Sequence, residues 1–92
     1  MQGTGTSENP YLVKSIAELR EAATISGAYV KVIADLDCNE ENYLEWETLN
    51  ITAEEIDFDG KSLINPHIKR GNMLFDRGYI KNGKILNVYE NE

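Results

Sequence analysis

The sequence predicts a mainly β domain: a short coil of stacked strands, a β-solenoid, with one α-helix near its start. Three observations predict it. Helical apolar spacing occurs once, between Ser15 and Gly27, behind a capping signal. From Ser62 onward the chain is a series of short apolar runs separated by Asn, Gly or Pro. Helix first and strands afterwards excludes a repeated strand–helix–strand unit, leaving a small sandwich, a barrel or a solenoid. Asn at turns and recurring Ile/Leu/Val triplets favour the solenoid, because stacked rungs turn apolar side chains inward and hold Asn at their corners.

Residues 1–10 are polar, rich in Gly, Thr and Ser, and without periodicity; they read as an extended or flexible N-terminal arm. Asn9-Pro10 sets an extended or turn geometry, and Tyr11-Leu12-Val13 follows as a strand. Ser15-Ile16-Ala17-Glu18 is a capping box, in which the Ser15 hydroxyl accepts the Glu18 N–H and the Glu18 carboxylate accepts the Ser15 N–H. Ile16, Leu19, Ala22 and Ala23 then form one apolar stripe, and Ser26-Gly27 is a stop. A helix of about ten residues does not persist alone, so this stripe must dock. Tyr29 to Leu36 alternates as one strand. Asp37 to Asn42 is a polar loop, and Trp46, Leu49, Ile51, Ile56 and Phe58 are apolar anchors among acids. Asp59-Gly60 marks a tight turn. Beyond it, strands are expected at Ser62–Asn65, His67–Lys69, Met73–Phe75, Tyr79–Lys81 and Lys84–Tyr89.

Length and charge narrow the function classes. Ninety-two residues, 41% of them hydrophobic, make one domain with a small core. One Cys and one His allow neither an internal disulfide nor a Cys/His zinc site. A net charge of −7 argues against nucleic-acid binding. No apolar run is long enough for a membrane span, and the N-terminus has no signal-peptide pattern. Residues 32–60 hold ten acids and no Lys or Arg, whereas residues 61–84 hold six bases and one acid, Asp76. Such segregation suggests two surfaces that attract each other, within one chain or between copies, or two solvated faces.

Several segments resemble a known family. Gly3-Thr4 through Pro10-Tyr11 and Val13 is similar to its entry stretch, and Ser15 to Leu19 to its "S-x-x-E-L" cap helix. Ala34-Asp35-Leu36-Asp37-Cys38 is similar to a strand-ending "x-D-I-D-L" motif. Trp46-Glu47-Thr48-Leu49 matches a "W-x-P-I" segment, with Thr48 where Pro is usual. Ile56-Asp57-Phe58-Asp59-Gly60-Lys61-Ser62-Leu63-Ile64 is similar, at its centre, to an "F-x-G-x-F-D-G-x-x-x-x-I" stretch, and Leu74-Phe75 through Ile80, Asn82, Ile85, Asn87 and Val88 to its closing pattern. Together they resemble right-handed parallel β-helix proteins of the pectin-lyase-like superfamily over residues 3–89. The resemblance implies a fold: a short right-handed parallel β-helix with an N-terminal capping α-helix, cap and first rungs occupying residues 11–92. It implies no single activity, since similar proteins include polysaccharide lyases and hydrolases, bacterial surface proteins and phage fibres.

The candidate chemistry is sparse. Asp35/Asp37 and Asp57/Asp59 are Asp-x-Asp pairs, which on a strand place both carboxylates on one face. One pair falls short of the 6–8 oxygens that Ca²⁺ takes, and a solvated strand face is the simpler reading. His67 reads as a turn or surface residue and Cys38 as a buried filler, with nothing nearby to lower the thiol pKa. Trp46, with Tyr43, Tyr79 and Tyr89, offers either a glycan contact or, for Trp46, core packing. No catalytic residue, metal or cofactor is expected.

An N-terminally capped solenoid leaves its other end unpaired, an association hazard, and Tyr89 to Glu92 reads as no capping element; either a longer chain continues the coil or another subunit covers that end. The expected function is therefore a non-catalytic structural module in a homo-oligomer or larger assembly: a phage virion fibre, spike or decoration component, made in the host cytoplasm. Tyr79, Tyr89, Lys69, Arg70, Arg77, Asp57 and Asp59 are its interface candidates. The alternatives are a glycan-binding adhesive module on a bacterial surface, and a fragment of a polysaccharide lyase or hydrolase.

Overall fold

The computed structural model describes residues 1–91; Glu92, the last residue of the expected uncapped end, lies outside them. The chain forms β1 (Tyr11–Val13), α1 (Ile16–Ala23), β2 (Tyr29–Val32), β3 (Leu36–Asp37), β4 (Leu49–Asn50), β5 (Glu55–Asp57), β6 (Ser62–Ile64), β7 (His67–Lys69), β8 (Phe75–Asp76), β9 (Ile80–Lys81), β10 (Lys84–Leu86) and β11 (Tyr89–Asn91). Every strand pair is parallel, in the orders β1-β2-β5-β9, β3-β6-β10, β7-β11 and β4-β8. The product is a β-solenoid of about four turns with one helix.

Equivalent residues of successive turns stack in columns. Tyr11, Val30, Ile56 and Ile80 are in register, as are Leu36, Leu63 and Ile85, and Leu49 and Phe75. Trp46, outside the strands, bridges in parallel to Ile68, and Ile68 pairs with Glu90. Val30, Ile56, Leu36, Leu63 and Leu49 are buried, so these columns fill the coil. Fully burying one such aliphatic side chain is worth roughly 1.5–3 kcal/mol.

Asn holds the corners. Asn65, Asn82 and Asn87 adopt φ of 57°, 58° and 54°, a left-handed backbone that Asn tolerates better than other non-glycine residues. These corners correct two strand expectations. Lys84–Tyr89 is two strands, because Asn87 turns the chain between β10 and β11. Tyr29–Leu36 is also two, broken at Ile33–Asp35, where the Ile33 N–H donates to the Val13 carbonyl.

Helix α1 closes the first turn. Its buried Ile16, Leu19, Ala22 and Ala23 pack toward β1, β2 and β4. The Glu18 N–H donates to Ser15 Oγ at 3.1 Å, as the capping box predicts. The reciprocal bond differs: Glu18 Oε1 accepts the Lys14 N–H at 2.9 Å. The Ile16 N–H donates instead to Glu41 Oε1, 2.8 Å away in the acidic loop, which also places an acid at the positive end of the helix. The helix ends at a Thr24 cap, short of Ser26-Gly27, which lie in the turn leading to β2.

The first ten residues are neither extended nor loose. The Leu12 N–H donates to the Gln2 carbonyl, Thr4 and Gly5 N–H groups to Asn9, and the Tyr29 N–H to Gly5. The chain doubles back here because Gly3, at φ 100°, lies against the Pro10 carbonyl with no room for a Cβ.

Candidate functional site, the open end of the solenoid

Among the described residues β8, β9, β10 and β11 are the outermost strands of their sheets on the side away from α1. Half of the backbone polar groups of such an edge strand point away from its neighbour. In register with Ile56, Leu63 and Ile68, the inward positions of the turn from β9 to β11 are Ile80, Ile85 and Glu90, five residues apart. Ile85 is 46% exposed, and Leu86, Val88 and Tyr89 are similarly exposed. A depression of about 250 Å³ opens among Phe58, Phe75, Ile80 and Ile85, rimmed by Lys81 and Lys84. Gly83 forms its wall, and a Cβ there would sit 2.8 Å from the Phe58 ring.

Glu90 occupies an inward position where the columns below hold Trp46 and Ile68, both buried. Its Oε1 lies 3.9 Å from Arg70 Nε, and both side chains are largely exposed. On the outer face Tyr89 stacks on His67, centroids 4.6 Å apart, and His67 Nε2 lies 2.7 Å from Asn39 Oδ1. His67 thus belongs to strand β7, not to a turn.

The expected interface residues divide between this end and the flank. Tyr89 lies on the edge strand β11, and Tyr79, at 58% exposure, just before β9. Lys69, Arg70 and Arg77 are exposed one turn below. Asp57 and Asp59 lie elsewhere, on the flank of the β1-β2-β5-β9 sheet, and are engaged within the chain. Lys31, Asp57 and Lys81 are in register there; Lys81 Nζ meets Glu55 Oε1 at 2.5 Å, and Lys31 Nζ lies 3.8 Å from Asp59 Oδ2. The Glu55 hydrogen bond, chiefly, raises the Lys81 pKa. Part of the acidic–basic segregation is therefore resolved between adjacent turns of one molecule.

The Asp-x-Asp pairs do not lie on one strand face. Asp35 is in the corner after β2, where Oδ1 accepts the Ser62 N–H at 2.9 Å. Asp37 Oδ1 accepts from Asn39 N–H and Asn65 Nδ2, both at 2.9 Å. Asp57 Oδ1 accepts from Asp59 N–H at 2.8 Å and Asn82 Nδ2 at 3.0 Å, while Asp59 turns at φ 49°. Asp37 is held below the ordinary carboxylate range, chiefly by the Asn65 amide. Burial pushes Asp57 up, but the Asn82 amide, the Asp59 N–H and the nearby lysines outweigh it and leave it lowered. Asp35, Asp37 and Asp57 serve as corner acceptors, the Asp59 carboxylate lies by Lys31, and no metal-binding cluster of His, Cys, Asp and Glu occurs among the described residues.

Trp46 is 1% exposed. Its Nε1 donates to the Leu74 carbonyl at 2.8 Å, and its ring packs edge-on against Tyr43 and Phe75. Of the two readings of Trp46, the buried indole fits core packing in the apolar column. The Arg20 guanidinium lies 5.2 Å from the Trp46 ring and 5.6 Å from Tyr43. Cys38 is fully buried, and burial, with Glu41 and Asp37 nearby, pushes its thiol up to about 11.

No family model, curated protein or solved structure matches this chain. No helix among the described residues is long and apolar enough to cross a membrane. The inward place of Glu90 was not recognised from sequence, although the five-residue spacing of Ile80, Ile85 and Glu90 carries the signal.

Proposed function

We propose that this chain is a non-catalytic structural module that joins a second copy end-on, through its open end, within a homo-oligomer or larger assembly. One observation carries the reading: Ile85, Leu86, Val88 and Tyr89 are each roughly half exposed on or beside edge strands, while α1 covers the opposite end. Exposed apolar side chains along an unpaired strand edge make a surface for pairing. With one end covered, copies meet open end to open end, a two-fold contact that closes at a pair. The last turn suits this symmetry. On each side of Ile85 the chain passes a two-residue corner, begun by left-handed Asn82 or Asn87, before reaching β9 or β11.

A virion fibre, spike or decoration component is the proposed setting for such a module; the resemblance to β-helix proteins is compatible with it and implies no single activity. The adhesive and lyase alternatives drew on Trp46 and the Asp pairs, which are occupied by contacts within the fold.

Light scattering on the intact chain from about 5 µM to about 500 µM, a span covering micromolar affinities, tests the reading. The mass is expected to rise from monomer toward dimer, and Ile85→Lys is expected to hold it at monomer. A monomer at every concentration for the unsubstituted chain overturns the reading.

A further inference from the structure

We infer that Asn82-Gly83 is a self-modifying corner: when the turn between β9 and β10 opens, the Gly83 nitrogen attacks the Asn82 side chain, and the aspartate or isoaspartate formed keeps the corner from closing again. The site stands independently of end-on association.

Two demands of the fold create this dipeptide. Asn82 suits the corner through its backbone, at φ 58°, and through its amide, which donates to Asp57 Oδ1 at 3.0 Å. Gly83 is required because a Cβ there would sit 2.8 Å from the buried Phe58 ring. The other left-handed Asn residues are not followed by Gly. Pro66, after Asn65, has no N–H to lose. Tyr43, after Asn42, and Val88, after Asn87, carry side chains that crowd the approach of their own nitrogens. Asn82 and Gly83 are both exposed, and the Gly83 N–H donates to no group among the described residues.

The step needs only water. The Gly83 nitrogen gives its proton to a solvent base and bonds to Asn82 Cγ. The Cγ–Nδ2 bond breaks, and the amide nitrogen takes a proton from water and leaves as ammonia. Water then opens the cyclic imide at either carbonyl. One opening leaves aspartate; the other leaves isoaspartate, whose backbone runs through Cβ. Water enters and ammonia leaves, with nothing oxidised or reduced.

The closed corner restrains this reaction. Left-handed backbone carries ψ near ~+47°, which turns the Gly83 nitrogen away from Cγ. Asp57 holds the amide, and the Gly60 N–H donates to the Asn82 carbonyl at 2.8 Å. Ring closure disrupts these contacts, so modification follows opening. A carboxylate at position 82 has no N–H to offer Asp57 and sets a like charge against it. Lys31 and Lys81, near Asp57, offset part of that repulsion. Isoaspartate adds a backbone bond to a two-residue corner whose flanking strands are in register with β5 and β6.

The test incubates the intact chain, folded and in urea, in mildly alkaline buffer, and follows every Asn by peptide mass mapping for replacement of –NH2 by –OH. Asn82 is expected to react first in both. In the folded chain it is expected to react more slowly by roughly tenfold or more, a factor set by how rarely the corner opens. Asp57→Ala, which removes the acceptor of the amide, is expected to speed the folded reaction, with Trp46 fluorescence verifying the fold. Asn82→Asp, the aspartate product, is expected to lower the urea midpoint at neutral pH and to lose part of that deficit in acid, where the facing carboxyls protonate. Equal rates in the folded and unfolded chains overturn the inference, as does earlier modification of another Asn. So do a folded Asp57→Ala chain that reacts no faster and an Asn82→Asp chain as stable as the unsubstituted one. If Asp57→Ala does not fold, the unsubstituted chain and Asn82→Asp decide.

Discussion

The side-chain amide of Asn65 donates to Oδ1 of Asp37, one turn below, at 2.9 Å. Asn82 repeats the relationship with Asp57 at the neighbouring corner, at 3.0 Å. Each Asn thus does two things: it takes the left-handed backbone that turns the chain, and it ties its turn to the carboxylate beneath. Asn65→Ala is expected to cost about 1–2 kcal/mol from the left-handed backbone alone, read by urea denaturation. Asn65→Gly, which relieves that strain, is expected to cost less.

The same bond has a pH signature. The Asp37 carboxyl titrates below its unfolded value of 3.8 because the Asn65 amide stabilises the carboxylate. A lowered carboxyl contributes stability above the unfolded value and loses it as pH falls through the folded one. The difference in stability between the unsubstituted chain and Asn65→Gly is therefore expected to be larger near pH 7 than near pH 2. A difference that is constant or grows in acid contradicts the assignment.

Trp46 is expected to emit at short wavelength, to resist acrylamide quenching and to ignore added glycans, since its ring is closed in by Tyr43, Phe75 and the Arg20 guanidinium. Trp46→Ala is expected to destabilise by about 3–5 kcal/mol, the usual cost of truncating a buried large aromatic side chain. A red-shifted, readily quenched emission is incompatible with the buried column.

Cys38 is expected to be inert toward iodoacetamide near pH 8. With a thiol pKa of about 11, only on the order of a thousandth of it is thiolate there, and the thiolate is the nucleophile. Denaturant is expected to restore labelling by removing both burial and the neighbouring acids. Rapid labelling of the folded chain speaks against the Cys38 environment.

Local rules made much of this fold legible. Ser15 with Glu18 marked the helix start, and the Asn and Gly turns marked most strand breaks. The misplaced breaks share a cause. Ile33–Asp35 and Asn87 lie inside runs that alternate like single strands, and a solenoid corner turns the chain without interrupting apolar composition. The Asp pairs misled because alternation assumes one strand, whereas Asp35 and Asp59 sit in corners. The partners of Glu41 and Trp46 were beyond local rules: the Ile16 N–H lies 25 residues from Glu41 and the Leu74 carbonyl 28 residues from Trp46. Glu90 was unread for a related reason, since its inward place follows from pairing with Ile68 rather than from its neighbours in sequence.

Amide hydrogen exchange of residues 84–91 at increasing protein concentration tests the central claim most directly. If the open end joins a second copy, the edge amides of β10 and β11 that face away from β6 and β7 gain protection as concentration rises, while those of β2 and β5 do not change. Exchange at β10 and β11 that is fast and independent of concentration, in a chain whose β2 and β5 amides are well protected, contradicts it.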